Sequence, residues 1–133
     1  MSAPIAISTK ERRDYVLRKN REDPADQQTV FVLRSLTGGE RHAVARMIGD
    51  AIRGDPDGDG KTTVSLAPFL DAQRLACEYG LTGWRGLRGE DGHEIPFPGS
   101  GRRALDLLDA SVQHEIGGAV MQDSKLMPEQ VRD

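Results

Sequence analysis

Three aspartates at alternate positions, Asp55, Asp57 and Asp59, followed by Gly60, form the sharpest chemical pattern in the chain. Carboxylates at positions 1, 3 and 5 of a loop, with glycine at 6, can converge on one hard cation, as in an EF-hand calcium loop. The twelfth position of such a loop supplies a bidentate glutamate, but here it is Leu66, and the usually apolar eighth position is Thr62. The segment therefore reads first as a solvated Asp-Gly loop between helices, and second as a small calcium-responsive binding module. Gly60-Lys61-Thr62 has the ending of a phosphate-binding loop, yet Asp55 stands where that loop requires its first glycine. Three carboxylates would also repel a triphosphate.

The other reactive side chains do not assemble. Cys77 lies in a helical apolar pattern and reads as a small core residue. His42, His93 and His114 fall on separate segments without the cysteine or carboxylate spacing of a zinc site. Glu90 and Glu94 are near neighbours, but an exposed turn would leave both solvated rather than tuned as an acid–base pair. No catalytic residue, metal ligand set or cofactor site is expected.

The expected contact region is the glycine-rich stretch from Gly80 to Phe97, which holds the sole tryptophan, Trp84. Asp91-Gly92 marks a turn. A two-residue turn would set Leu87 against Pro96 and Arg88 against Ile95, which matches nothing. A three-residue loop, Glu90-Asp91-Gly92 with the glycine left-handed, pairs Leu87 with Ile95 and Arg88 with Glu94. Each such cross-strand pair contributes about 0.2–1 kcal/mol, so the longer loop is the predicted register. Strict alternation then puts Arg85, Leu87, Ile95 and Phe97 on one face, with Trp84, Gly86, Arg88, Glu94 and Pro96 on the other. Pro96 lacks an N–H, which places its strand at an edge. A two-stranded ribbon is unstable alone, so one face must be buried on helices. Trp84 reads as core and, on an edge hairpin, also as a partner anchor. Trp84, Leu87 and Arg88, with the C-terminal tail, are the expected contact surface.

What must position that surface can be bounded by composition. At 133 residues the chain is one domain's worth, and with 37% hydrophobic and 5% aromatic residues its core is aliphatic and modest. A net charge of −3, with basic and acidic residues interspersed, argues against an electrostatic nucleic-acid binder. The single cysteine cannot form an internal disulfide, which fits a reducing compartment. No apolar run has the length of a membrane span, and Met1 to Ile5 has no leader pattern, so a soluble, intracellular chain is expected.

Asp14 to Lys19 and Thr29 to Leu33 read as antiparallel strands, the second being β-branched and aromatic. Asn20 to Gln28 is a polar, proline-broken loop. Ser8-Thr9-Lys10-Glu11 could cap only a short helix. Thr37-Gly38-Gly39-Glu40 is a capping box opening a helix with Val44, Met47, Ile48, Ala51 and Ile52 along one stripe and Gly54 as its stop. A second helix is predicted from about Ala67 to Tyr79, closed by Gly80. A third begins near Arg102 with Leu105, Leu108, Val112, Ile116 and Val120 on one face, weakened at Gly117-Gly118 by about 1 kcal/mol per glycine. The expected fold is α+β. A small antiparallel sheet, built from the N-terminal strands and an 84–97 β-hairpin, packs with three or more helices. Residues 1–122 form one domain and 123–133 a polar tail.

The run Cys77-Glu78-Tyr79-Gly80-Leu81-Thr82-Gly83-Trp84, with Asp91-Gly92 and Ile95-Pro96-Phe97 beyond it, resembles small morphogenesis proteins of tailed bacteriophages. It is most similar to tail assembly chaperone-like proteins, in which a helix ends in a Gly-Leu-x-Gly-Trp step and an x-Asp-Gly-x hairpin. Arg21, Pro24, Gln28-Thr29-Val30-Phe31 and Leu36-Thr37 extend the likeness, so that about half the chain is covered. The resemblance brings no catalytic residues. It implies a protein acting by contact with other phage structural or assembly proteins (tape-measure, tail or neck proteins), alone or as an oligomer in an assembly. Its expected location is the host cytoplasm during assembly, with a place in the virion as the alternative.

Overall fold

The computed structural model describes residues 11–54, 62–64 and 66–126. Strand β1 (Arg13–Val16) pairs antiparallel with β2 (Val30–Leu33), and β2 pairs antiparallel with β5 (Leu81–Arg85), giving a three-stranded sheet in the order β1-β2-β5. Tyr15 lies opposite Phe31, and Phe31 opposite Trp84. Side chains alternate across a strand, so this register gathers three aromatic rings in one row on the core face. All three are buried, together with Leu33 and Leu81. On the opposite face Arg85 bridges to Asp14 at 2.7 Å. The first strand is shorter than predicted, because the chain turns into a 3-10 segment at Arg18–Asn20 after the buried Leu17.

The polar stretch 20–28 is a closed loop with defined bonds. Asn20 Oδ1 accepts from the Thr29 backbone N–H at 2.7 Å, and the Gln28 side chain donates to the Arg21 and Asp23 carbonyls at 3.1 and 3.0 Å.

Helix α1 (Gly38–Ala51) starts at the predicted capping box. The Thr37 hydroxyl accepts from the Glu40 N–H at 3.2 Å, and Glu40 Oε1 accepts from the Thr37 N–H at 2.9 Å. Removing the hydroxyl with Thr37→Ala should therefore cost about 1 kcal/mol in urea unfolding. Glu40 also accepts both arms of the Arg34 guanidinium, each at 2.7 Å. Arg34, and to a lesser degree the Thr37 N–H, hold the Glu40 carboxyl below its ordinary range against the opposing effect of burial. A carboxylate favoured in this way stabilises the fold fully above the ordinary carboxylate value, and that contribution is lost as pH falls through the lowered one. Glu40→Gln should lower stability at pH 7 by about 1–2 kcal/mol. It should also flatten the acid limb of stability against pH, which urea titrations at stepped pH would read.

The apolar stripe of α1 stops one residue early. Ile52, predicted as helical, opens β3 (Ile52–Gly54), which pairs antiparallel with β4 (Thr62–Val64) in a separate two-stranded ribbon. Gly54 therefore ends a strand rather than stopping the helix. Residues 55–60, predicted as loop, and the short capping motif at 8–11 lie outside the described residues in whole or part.

Helix α2 (Leu66–Gly80) is the central helix and packs on both α1 and α4. The predicted third helix is two: α3 (Gly101–Leu105) and α4 (Ala110–Asp123). The break is held by Gln113, a buried polar side chain that donates to the Leu105 and Leu108 carbonyls at 2.8 and 2.9 Å. It caps the last carbonyl of α3, at Leu105, and that of Leu108 in the connection. Helix α4 runs unbroken through Gly117. A Cβ there would lie 1.8 Å from the Gln73 carbonyl oxygen, so glycine permits close passage of α4 over α2.

The C-terminus of α4 continues into the stretch predicted as tail. Leu126 N–H bonds the Met121 carbonyl and Lys125 N–H the Gln122 carbonyl, with Lys125 left-handed at φ 58°. This is the Schellman pattern, with a lysine where glycine is usual, and half-buried Leu126 packs onto the core as its apolar partner.

Candidate functional site

The hairpin that carries the predicted contact residues has the predicted turn. Arg88 and Glu94 stand opposite each other in a backbone β-bridge, the Ile95 N–H donates to the Leu87 carbonyl at 2.7 Å, and Gly92 is left-handed at φ 80°, while the Glu94 carboxylate accepts from the Gly86 N–H at 2.8 Å. The Asp91 carboxylate accepts from the His93 N–H at 3.0 Å and fixes the tip.

The base of the hairpin departs from simple alternation. Gly86 stands at φ 78°, where a Cβ would come within 2.7 Å of the Gln28 carbonyl oxygen. The backbone swivels there, so Trp84 and Arg85 end the three-stranded sheet and the ladder beyond is a single bridge. As a consequence Trp84 and Phe97, predicted on opposite faces, meet edge-to-face with centroids 5.0 Å apart. Phe31 packs on Trp84 from the sheet side at 6.2 Å, also edge-on. The indole N–H donates to the Ile95 carbonyl at 2.7 Å.

Trp84 is core, the first of its two readings, and is corrected only as a partner anchor: it is 9% exposed, and its indole N–H is bonded within the chain. Leu87 stays half-buried and Arg88 exposed, and the two remain together on the surface. They line a shallow hollow of about 460 Å³ whose opposite wall is Asp26, Gln27 and Thr29. The Thr29 hydroxyl donates to the Gly86 carbonyl at 3.1 Å, tying the wall to the hairpin base.

Leu87 also lines a second groove of about 430 Å³, between the sheet and the α3–α4 connection. Leu17 and Phe31 lie at its base, one side carries Lys19 and Asp23 with the amides of Asn20 and Gln27, and the other carries Leu107, Asp109 and Val112. None of these but Leu87 is legible in the sequence as surface-forming. Periodicity places Leu107 and Asp109 inside one continuous helix, where a groove cannot form.

A third depression of about 620 Å³ between α1, α2 and α3 is polar. Asp71, Glu78 and Asp106 share it with Arg74 and Arg102, and neither histidine, cysteine nor hydroxyl lines it. His42, His93 and His114 stand on α1, the hairpin tip and α4. No group of three metal-ligating side chains comes together among the described residues. Burial, and then the Glu78 charge, push the Cys77 thiol up to about 12, so it stays protonated and inert as a core side chain. The strands on either side of the Asp55–Gly60 segment differ from an EF-hand, whose loop joins two helices.

One polar cluster ties α4 to β1. The Tyr15 hydroxyl donates to Glu115 at 2.7 Å, and the same carboxylate oxygen accepts from the Arg18 N–H at 3.0 Å. Arg13 and Arg21 lie over the Tyr15 ring, 5.4 and 5.3 Å from its centroid. Its effect is structural, fixing the helix against the edge strand. Among the described residues no helix is long and apolar enough to cross a membrane.

With this geometry in hand, comparison with known proteins adds no relative: no family model, curated protein or solved structure matches the chain.

Proposed function

We propose that this chain is a morphogenesis protein of a tailed bacteriophage that works by protein–protein contact, through the hairpin surface of Leu87 and Arg88. The observation that carries the reading is the internal brace of the hairpin. An indole bound to the Ile95 carbonyl and wedged between Phe31 and Phe97 holds a solvent-facing tip in one conformation. A surface ordered before binding loses less conformational entropy when a partner docks. The same residues, from Cys77 through Phe97, carry the resemblance to tail assembly chaperone-like proteins. Its partners are other structural or assembly proteins of the phage, of the tape-measure, tail or neck kind. The chain makes no covalent chemistry of its own.

Affinity purification of the tagged chain during growth of the phage that encodes it tests the proposal. A structural or assembly protein of that phage should co-purify with wild type, and Arg88→Glu should reduce its recovery. Recovery of no phage protein, or equal recovery by the variant, counts against it. Mass spectrometry of purified particles then separates the two roles: a virion component is present in the particle, an assembly chaperone is absent from it.

A further inference from the structure

Large apolar side chains left in solvent are few. Among the described residues they are Leu66, 69% exposed at the start of α2, and Leu107, 50% exposed in the α3–α4 connection. Leu107 stands beside the groove that Leu17 and Phe31 underlie, so one patch holds both a projecting apolar knob and a recess of mixed lining. Three charged side chains line the patch, Lys19, Asp23 and Asp109, and Asp23 already accepts from the Asn20 side-chain amide. Lys19 belongs to the 3-10 segment after β1, and Asp109 precedes the first residue of α4. Neither has an ion-pair partner among the described residues. Asp109 makes no side-chain capping bond to its helix.

A contact between two identical chains about a two-fold axis requires one surface to carry both halves of every complementary pair. This groove does so. We propose that it is the self-association surface of the protein, in which Leu107 of each copy enters the recess of the other. Lys19 of each copy then faces Asp109 of the other. The occupant is a second copy of this chain, because knob against recess and cation against anion are both supplied within a single patch. The groove shares Leu87 with the hairpin contact proposed above, whereas Arg88 lines only the adjoining hollow.

Sedimentation velocity of the purified full chain across a hundredfold concentration range tests it. Wild type should show a monomer–dimer equilibrium. Leu107→Asp should shift it to monomer throughout, with an unchanged far-ultraviolet spectrum. Lys19→Asp and Asp109→Lys each place like charges across both symmetric pairs, and should weaken dimerisation about tenfold or more. Mixing these two variants should restore a heterodimer. The acid introduced by Lys19→Asp in one chain then meets the base introduced by Asp109→Lys in the other, and the second pair is wild type. Rescue on mixing has no explanation within a single chain. A wild-type protein that stays monomeric, a dimer indifferent to Leu107→Asp, or a mixture no tighter than its components overturns the proposal. None of these results bears on whether Arg88 recruits a phage protein.

Discussion

Gly117→Ala is expected to destabilise the protein by about 3 kcal/mol, the upper end of overpacking costs. The added methyl carbon would sit 1.8 Å from the Gln73 carbonyl oxygen, 2.5 Å from its carbon and 3.0 Å from the Gln73 Cα. All three atoms are backbone of α2, so no rotamer change relieves the clash. Helix α4 must lift away from the central helix, and the buried Ile116, Val120 and Met121 lose contacts on both sides. The adjacent residue supplies the control. At Gly118 a Cβ would meet only the Gln73 side-chain amide nitrogen, at 3.4 Å, which can swing aside. Gly118→Ala should be neutral or gain up to about 1 kcal/mol from helix propensity. Thermal unfolding should show Gly117→Ala melting roughly 10 °C below wild type, with Gly118→Ala at or above it. Equal losses at both positions would mean that α2 and α4 are not in this close crossing.

Trp84→Ala should have an effect of similar size, about 3–5 kcal/mol, the usual cost of emptying a large aromatic site. Three structures depend on that one ring: Phe31 of β2, Phe97 beyond the hairpin, and the Ile95 carbonyl. Trp84→Phe separates packing from hydrogen bonding. It keeps an apolar ring against Phe31 but leaves the Ile95 carbonyl without its donor, at about 1–3 kcal/mol. Hydrogen exchange should then show faster exchange at the Ile95 and Gly89 amides, which bond across the hairpin, while the β2 amides stay protected. If β2 and hairpin amides lose protection together, the indole is not a brace specific to the hairpin.

Much of the fold is readable wherever its cause is local. The capping box at Thr37 and Glu40, the β-branched run of β2 and the Asp91-Gly92 turn each depend on residues a few positions apart. The structure reproduces all three, and with them the α+β class. What the sequence hides depends on distant neighbours. Ile52 fits a helical stripe and also fits a strand, and pairing with Val64 decides the matter. The periodicity from Leu105 to Val120 carries no sign of a break, because the break is stabilised by Gln113 reaching backwards to two carbonyls. Gly117 looks like a weak point in sequence and is a packing requirement set by Gln73 on another helix. Of the predicted contact residues, Leu87 and Arg88 stay at the surface. Trp84 faces inward in register with Phe31, as its reading as core expects, and Phe97 joins it because Gly86 adopts a left-handed conformation that alternation alone does not anticipate. The groove beside Leu87 is invisible in the sequence, since its walls come from segments about ninety residues apart, at Lys19 and Asp109.

The claim that this chain acts by presenting a pre-ordered hairpin to a phage protein is tested most directly by site-specific photo-crosslinking. A photoreactive residue at Arg88, in the chain expressed during growth of its phage, should capture a tail, neck or tape-measure protein encoded by the same genome. The same probe at Arg46, exposed on α1, should capture far less of it. Crosslinking of that protein no stronger at Arg88 than at Arg46 would contradict the account.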